Sequence, residues 1–89
     1  MATIHLLIKG EVQGVFYRAT ARKIAQQMGI TGWIKNTKDG NVEARVSGTE
    51  NQLEKFTGWC KKGPEKAVVD EVIVTKQEET LFEEFVIVR

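Results

Sequence analysis

Apolar residues fall on alternate positions at the start of the chain, with Ile4, Leu6 and Ile8 on one side of the run Ala2 to Lys9. That period of two predicts a β-strand with one buried face. From Tyr17 the period lengthens. Tyr17, Ala21, Ile24, Ala25 and Met28 recur at helical spacing, while Arg22, Lys23, Gln26 and Gln27 fall mostly elsewhere. Gly29 is placed to stop that helix. Ile30 to Asn36 is rich in β-branched and aromatic residues and predicts a second strand. Thr37-Lys38-Asp39-Gly40 is a turn whose Asp-Gly pair signals a hairpin. A third strand follows, with Val42, Ala44 and Val46 on one face and Glu43, Arg45 and Ser47 on the other. Thr49 and Gln52 have the spacing of a capping box, in which each side chain bonds the other residue's backbone N–H. Leu53, Phe56 and Cys60 then repeat at helical spacing, and Gly63-Pro64 ends the helix. Ala67 to Thr75 is a valine-rich strand, and Phe82 to Val88 is a last short one.

The order is βαββαβ with a short extra terminal strand. It predicts an α/β (α+β) protein in which two split β-α-β crossovers share one mixed, mostly antiparallel sheet, with both helices on one face. This is a ferredoxin-like sandwich. No repeat, linker or low-complexity tract interrupts it, so residues 1–89 are expected to form one domain. The architecture hosts many unrelated activities, and function must come from particular residues.

Composition narrows the field. The chain has 89 residues, of which 42% are hydrophobic and 28% charged, as in ordinary soluble domains. A formal charge of +1 gives no global basic field for nucleic acid. Cys60 is the single cysteine, which fits a reducing compartment. The first nine residues hold too short an apolar run for a signal peptide or a membrane span. The expectation is a cytoplasmic, monomeric protein with no membrane or nucleic-acid partner.

Two segments carry candidate chemistry. Gly10-Glu11-Val12-Gln13-Gly14-Val15-Phe16-Tyr17-Arg18 runs from strand to helix. A glycine turn at a helix N-terminus can gather backbone N–H groups around an anion. Glycine also lets a ligand approach the main chain at Gly10 and Gly14. Arg18 adds a planar, permanently charged fork suited to phosphate oxygens. Alone, the segment equally fits a plain strand-to-helix turn with an exposed arginine. The second segment, Gly32 to Gly40, puts Asn36 at the end of a strand. Asparagine donates and accepts hydrogen bonds at once and can hold a water in line with an electrophile. Alone, it also fits a turn residue that satisfies local backbone groups.

Together the two segments resemble the acylphosphatase family. The matching residues are Gly10-x-Val12-Gln13-Gly14-Val15-x-x-Arg18 and Gly32-Trp33-x-x-Asn36-x-x-Asp39-Gly40-x-Val42-Glu43. Gly48, Trp59, Gly63-Pro64-x-x-Ala67-x-Val69, Phe82 and Phe85 extend the resemblance over essentially the whole chain. It implies the same fold and hydrolysis of the carboxyl–phosphate anhydride of acyl phosphates, giving a carboxylate and inorganic phosphate. Carried over by position, Arg18 binds the phosphoryl group, Asn36 orients the attacking water, and the backbone around Gln13, Gly14, Val15, Phe16 and Tyr17 completes the phosphate cradle. Tyr17 stands where the family often has phenylalanine.

The chemistry suits these residue types. A carboxylate leaves readily and needs little acid assistance, so the lack of a catalytic-looking histidine is no objection. Positioning and electrostatic stabilisation can supply most of the acceleration. A substrate oxygen is the candidate acceptor for the water's proton. No cofactor or metal is expected. His5 reads as an outward strand residue, Cys60 as a core thiol, and Glu78, Glu79, Glu83 and Glu84 as a solvated rim. Trp33 and Trp59 read as packing, and Lys61-Lys62 as a complement to a helix dipole. The runner-up reading is a non-catalytic phosphate or carbamoyl-phosphate binding module on the same scaffold. An RNA-recognition domain ranks lower, because the third strand has no aromatic residue. A metal chaperone would be expected to need paired cysteines.

Overall fold

The computed structural model describes all 89 residues, Met1–Arg89. Strands β1 (Ala2–Glu11), β2 (Thr31–Asn36), β3 (Val42–Gly48), β4 (Val68–Gln77) and β5 (Phe85–Ile87) form one sheet in the order β4-β1-β3-β2-β5. Helices α1 (Tyr17–Met28) and α2 (Glu50–Lys62) complete the βαββαβ order with its extra strand. All pairings are antiparallel except β2 with β5, which run parallel.

The alternation in the sequence decides which face is covered. Ile4, Leu6 and Ile8 of β1 lie beside Val46, Ala44 and Val42 of β3. They are buried together with Ile34, Phe85 and the helix residues Tyr17, Ala21, Ala25, Leu53, Phe56 and Cys60. Core residues of strands and helices thus form a single cluster on one side of the sheet. The opposite face is polar. There His5 Nε2 meets Glu43 Oε2 at 2.8 Å, and Lys35 Nζ lies 3.4 Å from Glu43 Oε1 and 5.5 Å from the Trp33 ring centre.

Strand bounds shift slightly from the sequence expectation. β4 starts and ends later, at Val68 and Gln77, and β5 shortens to three residues. The connection between them passes Thr3 and Ser47. Thr80 N–H donates to Thr3 Oγ1 at 2.8 Å, and Ser47 Oγ donates to Thr80 O at 2.7 Å. These bonds satisfy the two buried hydroxyls, Thr3 and Ser47, and carry the chain from one sheet edge to the other. Glu78, Glu79, Glu83 and Glu84 in this connection are exposed.

Gly10 corrects one expectation. It does not admit a ligand to the main chain. It sits inside β1 at a register shift against β4, with φ of 136°, where an added Cβ would strike Val68 O. The close approach that requires glycine is to a neighbouring strand.

Candidate active site

The two helices begin differently. At α2, Thr49 Oγ1 accepts from Gln52 N–H at 3.1 Å and Gln52 Oε1 accepts from Thr49 N–H at 2.8 Å, the reciprocal pair the sequence predicts. At α1, no side chain caps the N-terminus and no acidic residue occupies the first turn. The first helical bond there is Thr20 N–H to Phe16 O at 3.1 Å. The N–H groups of the preceding turn have no partner within the helix.

The backbone leading into α1 alternates in hand. Gly14 has φ of 74° and Phe16 has φ of 62°, whereas the intervening Val15 is not in the positive-φ region. Such alternation turns successive N–H groups toward one concavity, a nest for an anion. The dipole of α1 adds to it.

This concavity opens into a cleft of about 250 Å³ lined by Val12, Gly14, Phe16, Tyr17, Arg18, Ala19, Asn36, Ile87 and Arg89. The structure therefore brings the two predicted centres, Arg18 and Asn36, to one cleft. Arg18 takes part in neither ion pair of the molecule. Asn36 Oδ1 is buried and has no hydrogen-bond partner. Arg45 Nε, outside the cleft, is likewise buried without a partner.

The remaining loop residues divide by role. Gln13 and Val15 do not line the cleft. Gln13 instead turns to the β2–β3 hairpin, where its Nε2 donates to Thr37 O at 2.8 Å and to Asn41 O at 2.7 Å. It ties the anion loop to the segment that follows Asn36. The hairpin is held from within by Thr37, whose N–H donates to Asn41 O at 2.9 Å and whose hydroxyl donates to Asp39. That second bond lowers the Asp39 pKa below the ordinary carboxylate value.

Tyr17 is buried, and its hydroxyl donates to Cys60 O at 2.7 Å. The acceptor is a carbonyl in the last turn of α2, one of those left without a helical partner. The Tyr17 ring also packs on Trp59, with centres 5.3 Å apart, and an added Cβ at Gly63 would come within 2.9 Å of it. The N-terminus of α1 is thereby fixed to the C-terminus of α2. Burial raises the Tyr17 pKa and pushes the Cys60 thiol up to about 12, so neither group is a proton acceptor or nucleophile near neutrality.

Sequence reasoning did not find Ile87 and Arg89 as cleft residues. Ile34 pairs with Ile87 in the parallel β2–β5 register, and Val88 N–H donates to Ile34 O at 2.8 Å. Continuing that register by two residues sets Arg89 beside Asn36. Periodicity revealed the terminal strand but gave no sign of which edge it joins. No group of three His, Cys, Asp or Glu residues has the arrangement to hold a metal ion. No helix is long and apolar enough to cross a membrane.

Comparison with known proteins agrees with this fold. The acylphosphatase family model matches residues 4–87. The acylphosphatase of Marinobacter nauticus is 52% identical over 68 residues, spanning 76% of this chain and 74% of that protein. The acylphosphatase of Methylococcus capsulatus is 39% identical over 100% of this chain and 98% of its own. The crystal structure of acylphosphatase from Bacillus subtilis superposes with a TM-score of 0.96 at 32% identity, covering both chains completely.

Proposed function

This chain belongs to the acylphosphatase family, and on that premise we propose that this cleft hydrolyses acyl phosphates with Arg18 and Asn36 as the catalytic residues. The observation that carries the assignment is that Arg18 and Asn36 line one cleft at the uncapped start of α1. A carboxamide on the cleft wall suits a water that must be held before it attacks.

In this reading the phosphoryl oxygens lie in the nest formed by the backbone from Gly14 to Arg18, with the Arg18 guanidinium closing on them bidentately. The Asn36 carboxamide hydrogen-bonds the water and aligns its oxygen with phosphorus. The water oxygen forms the new P–O bond as the bond to the carboxyl oxygen breaks. The carboxylate leaves with the electron pair, and the water's proton passes to a phosphoryl oxygen. Charge accumulates on the phosphoryl group and on the departing carboxylate, where fixed N–H dipoles and the guanidinium stabilise it without reorganising. No step needs a metal ion. The 89 residues act as one catalytic domain and as a monomer, in the cytoplasm, on a small soluble substrate.

The test is hydrolysis of an aryl acyl phosphate in the presence of a chelator by wild type, Arg18→Ala and Asn36→Ala. Each variant is checked for folding by circular dichroism. We expect wild-type turnover. Asn36→Ala should lower kcat by about 10²–10³-fold while phosphate binding persists, and Arg18→Ala should lose both. Near-normal turnover in Asn36→Ala would remove its water-orienting role. Phosphate binding without any turnover in wild type would assign the cleft to a binding module.

A further inference from the structure

Phe16 is the single non-glycine residue with positive φ, at 62°, and its side chain is 81% exposed. A left-handed conformation costs an L-residue about 1–2 kcal/mol. The nest requires that conformation, but it does not require an aromatic ring. Glycine would supply the same backbone at no steric cost. Nor does the ring help the core, since it projects from the protein. Strain and exposure at one residue therefore need a return outside folding.

The ring stands at the cleft, where Val12, Ala19 and Ile87 supply further apolar wall. With a volume of about 250 Å³, the cleft has room beyond the phosphoryl group held by the nest. Arg89, an exposed cation, also lines the cleft. The cleft thus offers an apolar acyl group the Phe16 ring and an anionic one the Arg89 guanidinium. Arg89 has a long side chain with four rotatable bonds to order on contact with a ligand, whereas the Phe16 ring has two, on a backbone followed by the buried Tyr17. With fewer torsions to freeze, the ring loses less entropy on contact with a ligand.

Resting on the hydrolase reading above, we propose that Phe16 is a specificity-determining residue whose ring contacts the acyl group, selecting acyl phosphates with an aromatic or bulky apolar acyl part. The contact adds to the shared phosphate interactions and separates substrates by their acyl part alone.

The experiment compares kcat/KM for benzoyl phosphate, acetyl phosphate and succinyl phosphate in wild type, Phe16→Leu and Phe16→Gly. Wild type should favour benzoyl over acetyl phosphate. Phe16→Gly should lower that ratio by about tenfold, the worth of one aromatic contact, with Phe16→Leu between. Phe16→Gly relieves backbone strain, so it should melt no lower than wild type, and a folding defect does not confound the ratio. An equal loss on all substrates would mean that Phe16 only shapes the loop and would overturn the proposal. So would an unchanged ratio, or a wild-type preference for succinyl phosphate, which would assign acyl recognition to Arg89. Absence of turnover on every substrate would instead overturn the hydrolase reading, and the acyl subsite with it.

Discussion

Gln13 offers the sharpest test of how this cleft is assembled. Its amide is the direct tie between the anion loop and the hairpin that carries Asn36, through bonds of 2.8 Å to Thr37 O and 2.7 Å to Asn41 O. Thr37 O and Asn41 O also accept from Gly40 N–H and Thr37 N–H, so neither carbonyl is orphaned when Gln13 is removed. The loss in Gln13→Ala is then two net hydrogen bonds at about 0.5–1.5 kcal/mol each, or about 1–3 kcal/mol in all. For a domain of this size that lowers Tm by roughly 4–24 °C. Gln13→Glu keeps the shape but turns an acceptor on two acceptors. Its carboxyl is driven to stay protonated, so its folded-state pKa rises above the unfolded value of about 4.3. The sign follows directly. Below the unfolded pKa the protonated acid still donates one bond, and the deficit against wild type is smallest. As pH rises through the folded pKa the deficit grows. Thermal melts of the three proteins from pH 3 to 8, with kcat/KM at neutrality, read both effects. Variants that melt within a degree of wild type at every pH would refute the energetic argument. Variants that melt early yet retain full kcat/KM would refute the claim that the tie positions Asn36 against the loop.

Other outcomes follow from single contacts. Tyr17→Phe leaves Cys60 O buried without its donor, 2.7 Å away in wild type, and should cost about 1–3 kcal/mol in urea unfolding. An unchanged midpoint would show that the hydroxyl contributes nothing. Gly32→Ala places a Cβ against Arg45 O and within 2.9 Å of Val46 Cα, at φ of 145°. It should destabilise by about 4 kcal/mol or more, read as loss of folded protein at 37 °C. Glu43 is held below the ordinary carboxylate pKa by its bonds to His5 and Lys35. The stability this pairing adds is present above the unfolded pKa and is lost as pH falls through the lower folded pKa. Glu43→Gln should therefore narrow the acid-induced fall in Tm, and an identical fall in both proteins would contradict the pairing.

Much of this was legible because local rules and the fold agree. The alternation at Ile4, Leu6 and Ile8 marks the buried side of β1, and the Thr49–Gln52 box fixes where α2 begins. Gly29 caps α1 in the left-handed region, as its place after the apolar stripe implies. The resemblance pointed to Arg18 and Asn36, and folding brings them to one cleft. What was hidden depends on pairings between distant segments. Gly10 looked like a ligand-facing glycine because its neighbour in β4 lies nearly sixty residues away in sequence. Gln13 belonged to a phosphate motif, yet its partners sit on another hairpin. Arg89 reached the cleft through a parallel edge pairing that no periodicity encodes.

That edge pairing also sets an order in time. A chain emerging from its N-terminus exposes the anion loop and Asn36 within the first 36 residues, but the β1 partner in β4 starts at Val68 and the closing strand at Phe85. Until β5 is added, Gly32 N–H lacks Glu84 O and Ile34 O lacks Val88 N–H. Until β5 joins β2, the edge that carries Asn36 is unfinished, and the cleft lacks the wall that Ile87 and Arg89 supply.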